Sequence, residues 1–413
     1  MESSSRSERR LLWLLAAIQL TLLLDFMVLM PLGPELMREL RVSAERFGVL
    51  VSCYTLASGA FGISGLFWLG RWERRRTLLA LYAGFGLATL GCALAADATA
   101  LLVARVLAGA CAGLLWAVVM DVIVGSVPPE RRGSAIGLVM SAYAVSAVAG
   151  VPVGLWIASL WGFRAPFALL TVASVGLWLV ASRMLPKSEP GSRTAASAAD
   201  ALRQLLRTPA LVGGWGLTFL VVSAGFLMIP YLGAFFVGSL GVPPEKLSLI
   251  YLAGGLVTFF TSRLVGNLVD RVGPARVLGG LLVASAVPHL LVTHLTQARW
   301  FEVAACFVLF MTLTSGRMIP TMVLLTSRVP PALRGRYLAV NSAVSDAASG
   351  SAAWLAGSLL TTEADGRLLG FGRIGLLAVG MSGLALLVLA TLARAKPPAE
   401  ELVDDGLSEG GAT

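Results

Sequence analysis

Twelve runs of predominantly apolar residues follow one another along this chain, separated only by short polar or Gly/Pro-rich breaks. A helix of roughly 20 apolar residues crosses the hydrocarbon core of a bilayer. The runs therefore predict twelve spans, near 11–33, 46–70, 77–95, 99–126, 134–160, 164–185, 209–238, 245–268, 275–295, 299–327, 335–360 and 371–394. Charged residues make up only 13% of the chain, against about 25% in soluble domains, so most of the chain cannot face water. The first run follows Arg9-Arg10 as a signal peptide would. It is too long for one, lacks an A-x-A cleavage site and carries Asp25, so a retained span is expected.

The phrase Val127-Pro-Pro-Glu-Arg-Arg-Gly133 recurs 202 residues later as Val329-Pro-Pro-Ala-Leu-Arg-Gly335. Each copy lies between two apolar runs, the second rich in small residues. A half duplicated within a membrane-spanning chain points to a secondary transporter, in which two similar bundles move about a central site. The fold class expected is an all-α integral membrane protein with twelve transmembrane helices in two pseudo-symmetric six-helix bundles. The N-terminal bundle covers 1–185 and the C-terminal bundle 209–394. Residues 186–208 form a cytoplasmic linker whose end, Ala201–Arg207, reads as a short amphipathic helix on the membrane surface. The polar, Gly-rich tail 395–413 reads as disordered and cytoplasmic.

Of the 32 Lys and Arg residues, 21 fall on segments that are cytoplasmic if the N-terminus is inside, and 8 fall outside. Arg105, Arg263 and Arg317 lie within spans. This bias predicts both termini inside. The net charge of +9 is spread over short loops, which suits anionic lipid headgroups and not nucleic acid. Four single cysteines in apolar runs support neither a disulfide framework nor a zinc site. No GxxxxGK[ST] loop is present, so transport must draw on a gradient.

Several motifs resemble those of the major facilitator superfamily over essentially the whole chain. Gly266-Asn-Leu-Val-Asp270-Arg271-Val-Gly273-Pro-Ala-Arg276 is similar to that family's signature loop between its second and third spans. The first half carries Trp68-Leu-Gly70-Arg71-Trp-Glu73-Arg74-Arg75-Arg76, with Gly70 where the family has Asp. Leu24-Asp25-Phe26…Pro31-Leu-Gly33-Pro34 resembles a first-span antiporter motif with an embedded acid. Arg105…Gly109…Gly113 resembles the fourth-span motif, and Gly150-Val-Pro152-Val-Gly154 is a loose version of the fifth-span motif, with Val151 in place of the family's glycine–proline pairing. The nearest likeness is to bacterial twelve-span drug:proton antiporters and arabinose-efflux-type permeases. The resemblance implies a multi-pass protein of the bacterial cytoplasmic (inner) membrane. It also implies gating by the loop residues Arg71, Glu73, Arg74, Arg132, Asp270, Arg271, Arg276 and Arg334.

A charge at the bilayer centre costs at least ~2.5–3.5 kcal/mol, so each intramembrane charge needs a reason. At about 1.5 Å per helical residue, Asp25 lies roughly 21 Å from the inner surface and Arg105 roughly 33 Å. Asp25 is the candidate proton carrier, or else a structural hydrogen-bond partner. Arg105 either tunes that acid or snorkels to water. The depth gap of about 12 Å means that direct contact requires tilt, a long side chain or bridging water. Arg317 and Asp346 both fall about 16 Å deep on consecutive spans, and are expected to form an ion pair or to line a cavity. Asp121 is expected to bond loop arginines near the inner gate. His289 and His294, without clustered acids, do not suggest a metal site. Trp116, Phe226, Tyr231, Phe235 and Phe236 either wall an apolar cavity or pack the core. Small residues in spans 2, 4, 5 and 11 predict close helix packing.

The functional expectation is a transporter, not an enzyme, exporting small, largely apolar molecules by proton antiport with alternating access. Its partners are the small-molecule substrate, protons and the lipid bilayer, with no cofactor, no metal and one chain sufficient. The proton-coupling residues are Asp25 and Arg105, and the cavity candidates are Asp25, Trp116, Tyr231, Arg317, Asn341 and Asp346. The alternative is transport of a hydrophilic metabolite such as a sugar, for which Gln19, Asn267 and Asn341 are a thin supply of amides.

Overall fold

Hydrophobic run length and proline placement fix where the helices begin and end. The computed structural model describes residues 2–69, 72–128, 131–185, 195–296, 298–363 and 365–394. Helix α1 (Glu2–Val28) leads into a short α2 (Gly33–Glu39), followed by α3 (Ala44–Trp68), α4 (Arg74–Leu94) and α5 (Ala98–Ser126). Helices α6 (Arg132–Val145) and α7 (Val151–Trp161) form one rod with a π-helical turn, Ser146–Gly150, between them. Helix α8 (Arg164–Met184) completes the first half, and α9 (Ala195–Arg207) lies on the connection.

The second half opens with α10 (Pro209–Phe226), continued by α11 (Leu232–Ala234) and a π-helical turn. There follow α12 (Pro244–Val272), the bent pair α13 (Pro274–Ala284) and α14 (Ala286–Thr293), and the bent pair α15 (Trp300–Gly316) and α16 (Met318–Arg328). Then come α17 (Pro331–Leu359), the two-residue strands β1 (Thr361–Thr362) and β2 (Leu368–Leu369) paired antiparallel, and α18 (Phe371–Arg394).

Among the described residues, eleven helical stretches are long and apolar enough to cross a membrane, from Glu8–Val28 to Phe371–Arg394. Their limits lie within a few residues of the runs read from sequence. The first span is shorter than expected, closing at Val28 and not at 33. Pro31 cannot donate to a helical bond and Pro34 opens the next helix, so the chain turns through 29–32 with Gly33 N donating to Met30 O at 3.0 Å. The expected span at 335–360 lies on α17, which has full spanning length but a composition too polar to mark it as a span. The linker helix extends further than Ala201–Arg207, beginning at Ala195. Of the remaining linker, 186–194 lies outside the described residues, as does the tail 395–413.

The face from which α1 enters is called here the near face, and the opposite one the far face. Within the first half, α1 packs on α6 and α8, and α4 on α5 and α8; within the second, α10 packs on α18 and α12 on α15. The halves meet along two seams, α3 with α17 and α7 with α12. One hydrophobic core draws from both halves at the far face, uniting Val28, Leu36 and Phe47 with Tyr231, Phe236 and Ala356. A second fills the first half, with Leu15, Tyr82, Phe85 and Leu115. At the near face α9 plugs Leu205 into a cluster with Trp215 and Tyr337, which Leu66 of α3 flanks. Large apolar side chains such as Leu87, Leu94 and Val172 stand about 70% exposed, as a lipid-facing surface requires.

Candidate functional site

Helix α1 carries Asp25 three residues before its end, and α5 carries Arg105 seven residues after its start. The two helices are antiparallel neighbours in the first half, so both residues lie near the far face. Arg105 Nη1 donates to Asp25 Oδ2 at 2.7 Å and to the Asp25 backbone oxygen at 3.0 Å. Both side chains are fully buried. Thr89 Oγ1 of α4 donates to Asp25 Oδ1 at 3.4 Å. The guanidinium lies over the Tyr54 ring of α3, 4.2 Å from its centroid, a further stabilisation of a desolvated cation.

The direct pair closes the depth gap counted from sequence. At 29 residues α5 is about 43 Å long by helical rise, well beyond a bilayer core of about 30 Å. Its near end therefore overhangs, and counting from that end placed Arg105 too high.

Two glycines on α5 set the distance between α5 and α3. A Cβ at Gly109 would run into the Tyr54 carbonyl, and one at Gly113 into the Ser58 carbonyl, so backbones touch at both positions. The fifth-span motif does the same against α1: Gly150 leaves room for Leu24, and a Cβ at Gly154 would lie 2.6 Å from Val28 Cγ2. Both glycine motifs expected to mediate helix packing thus frame the Asp25–Arg105 pair, and Pro152 sits buried at the start of α7 just past the π-turn. Phe26, next to Asp25, stacks on Tyr54 at 5.5 Å and on Phe226 of the second half at 6.1 Å. An aromatic ladder therefore runs from Arg105 across the boundary between the halves.

The ion pair expected between Arg317 and Asp346 is not formed. Arg317 is fully buried and donates to the hydroxyls of Ser285 (3.3 Å) and Ser382 (3.1 Å) and to the Thr314 carbonyl (3.2 Å). Asp346 Oδ2 accepts from Ser58 Oγ across the seam between the halves, at 2.7 Å. Equal depth fixed only their height; α17 turns Asp346 toward α3, away from the helix bend at Arg317.

Of the other cavity candidates, Trp116 is half-buried on α5. Tyr231 belongs to the far-face closure: its hydroxyl donates to Ala353 O at 2.8 Å and its ring meets Phe47 edge-on at 5.8 Å. Asn341 Oδ1 accepts from Thr218 at 2.8 Å.

Of the residues expected to gate, Arg71 lies outside the described residues. Arg74 pairs with Asp121, the loop contact expected for that acid, and Glu73 pairs with Arg76 at 2.8 Å. Arg132 Nε donates to Val127 O at 3.1 Å, whereas Asp270, Arg271, Arg276 and Arg334 are exposed. Among the described residues no group of His, Cys, Asp and Glu is placed to hold a metal.

Tyr54, Ser58 and Thr89 were not singled out from the sequence, and Phe26 entered only as a member of the first-span motif. The first two lie one turn apart on α3, a spacing visible in the chain, but only the glycine contacts from α5 give them meaning.

A family model described as Major Facilitator Superfamily matches residues 15–353 and 214–409. Among curated proteins, a probable sugar efflux transporter of Pasteurella multocida is 24% identical over 269 residues, 64% of this chain and 65% of that one. A chloramphenicol efflux pump of Mycobacterium tuberculosis is 28% identical over 265 residues, 64% of each chain. The chain thus spans just under two thirds of the length of these relatives. The crystal structure of the nucleoside transporter NupG superposes with a TM-score of 0.72 at 14% identity, covering 94% of this chain and 100% of that one, and so shares the fold.

Proposed function

This chain belongs to the Major Facilitator Superfamily, and on that premise we propose that it exports small, largely apolar molecules by proton antiport with alternating access. The observation that carries this reading is the Asp25–Arg105 pair, sealed from solvent and tied by stacked rings to the opposite half. Asp25 is the proton carrier and Arg105 its counter-ion. A proton arriving on Asp25 Oδ2 takes the position that Arg105 Nη1 holds and leaves the guanidinium without its countercharge. Arg105 then moves relative to Tyr54. Because α5 touches α3 backbone to backbone at Gly109 and Gly113, that movement reaches the α3–α17 seam as a displacement of the whole helix.

In this reading the near face is cytoplasmic, both termini lie inside, and α17 is the twelfth span. The joint core at the far face supports an inward-open state, sealed outside by Phe47, Tyr231 and Ala353. The exposed loop residues Asp270, Arg271, Arg276 and Arg334 then line the open side as candidate gate groups, and one chain holds the complete pathway. The apolar substrate is supported by the rings of Phe26 and Phe226 at the boundary and by the named activity of the mycobacterial relative.

A hydrophilic cargo such as a sugar is the second reading, supported by the name of the Pasteurella relative and by the Thr218–Asn341 pair. The test is accumulation of ethidium and chloramphenicol in pump-deficient cells, with and without a proton uncoupler, beside Asp25→Asn. Reduced accumulation abolished by both treatments supports proton-driven export. Accumulation unchanged across a broad panel refutes the apolar reading and favours the second.

A further inference from the structure

Arg317 poses a question of charge balance that Arg105 does not. It is fully buried inside the second half, yet it donates to two hydroxyls and a carbonyl. A buried ion needs polar partners, and here the breaks of interrupted helices supply them. Thr314 O lies in the last turn of α15, which stops at Gly316 because Pro320 removes the donor and crowds the preceding turn. Ser285 stands just past the end of α13, where Pro288 interrupts the rod in the same way, and its hydroxyl donates to Leu282 O at 2.9 Å while accepting from Arg317. Ser382 relays similarly to Ala378 O of α18 at 2.9 Å. α14 and α16 begin at the same breaks, so the positive helix ends offset the negative ones, and the guanidinium is held by individual carbonyl and hydroxyl acceptors without a countercharge.

A third interrupted helix reaches the same point. α10 stops at Phe226, ahead of Pro230, and a Cβ at Gly225 would sit 3.8 Å from Arg317 Nη2. That nitrogen finds no acceptor among the described residues. The next residue, Phe226, is the ring that touches Phe26 beside Asp25. The bends of three spans of the second half thus converge on one side chain, one residue from the aromatic contact with the first half.

We propose that Arg317 is the positioning residue of the second half: its guanidinium pins the bends of α13–α14 and α15–α16 to α18 beside the break of α10, and its spare Nη2 donor takes up a carbonyl freed by the α10 break when the transporter opens to the other face. This rests on the alternating-access reading given above. Arg317 touches neither substrate nor proton in this account; it sets which opening is populated.

The test uses the full-length protein in liposomes with spin labels on exposed positions, Ser134→Cys with Ser327→Cys at the near face and Thr99→Cys with Glu245→Cys at the far face. Ethidium transport is followed in parallel. Arg317→Gln is expected to collapse the two-state distance distribution onto one opening and to lower ethidium turnover about tenfold or more, with KM within about twofold. Arg317→Lys keeps the charge but not the planar fork, and is expected to restore part of both readouts. Wild-type distance populations in Arg317→Gln, with only a lower melting temperature, would make the residue merely structural and overturn the proposal. A raised KM at unchanged turnover would make it a substrate contact, with the same consequence. A single fixed distance in the wild type would instead sink the alternating-access reading itself, which separates the two failures.

Discussion

Removing one member of the Asp25–Arg105 pair leaves the other as a fully buried, uncompensated charge. Such a loss costs about 3–5 kcal/mol, or roughly two to three and a half decades in the folding equilibrium. The two members differ, because a buried carboxylate can neutralise itself by taking up a proton whereas arginine stays charged. In Asp25→Asn the amide oxygen and the Asp25 backbone carbonyl, 3.0 Å from Nη1 in the wild type, still accept from Arg105, but the charge is unmet. In Arg105→Met only the Thr89 hydroxyl at 3.4 Å faces the acid, and a proton relieves the deficit. Arg105→Met is therefore expected to recover stability as pH falls, while Asp25→Asn does not. The double variant buries no charge and should cost less than either single, giving a coupling energy of at least about 3 kcal/mol, the upper end of the usual range. Reversible unfolding in mixed micelles by SDS titration reads all four proteins. If the double variant costs the sum of the singles, the two groups do not act as a pair and the argument fails.

Three further outcomes follow from particular contacts. Gly113→Ala places a methyl group into the Ser58 carbonyl, with Ser58 Cα at 2.9 Å; overpacking should cost about 1–3 kcal/mol in the same SDS titration, whereas Gly137→Ala, with nothing within 4 Å, should cost nothing. Gly48→Val obstructs the far-face closure, since even a Cβ there lies 2.9 Å from Ala353 O and 3.3 Å from Gly357 Cα of the other half. Thiol labelling of Thr362→Cys at that face should rise, and unchanged labelling would mean the face does not close there. Glu35, outside the spans on α2, has its carboxyl held above the usual range by burial and by its neighbour Glu39. A raised acid means the folded state holds the extra proton, so stability is fullest below the ordinary glutamate range and falls as pH rises through the raised value. Glu35→Gln should flatten the melting temperature across that window, and an unchanged slope would refute the assignment.

Chain order and chemistry alone determined where the helices lie. Spanning length is set by bilayer thickness and run composition, so the spans were legible residue by residue, whereas the breaks ahead of Pro31, Pro230, Pro288 and Pro320, which follow from a missing donor, lay inside runs read as continuous. The glycine motifs of spans 4 and 5 were legible as packing surfaces because they lack a side chain at helical spacing. Rotation about each helix axis was not legible. Asp25 and Arg105 touch despite a counted gap, because α5 overhangs; Arg317 and Asp346 share a depth but face different neighbours. The run read as a span at 335–360 falls on α17, whose composition is too polar to mark it as one. That helix is packed between α3 and α10, where Ser and Gly serve close approach better than leucine does. What a buried charge does depends on which side chains stand around the helix at its height, and only the tertiary packing of the two halves decides that.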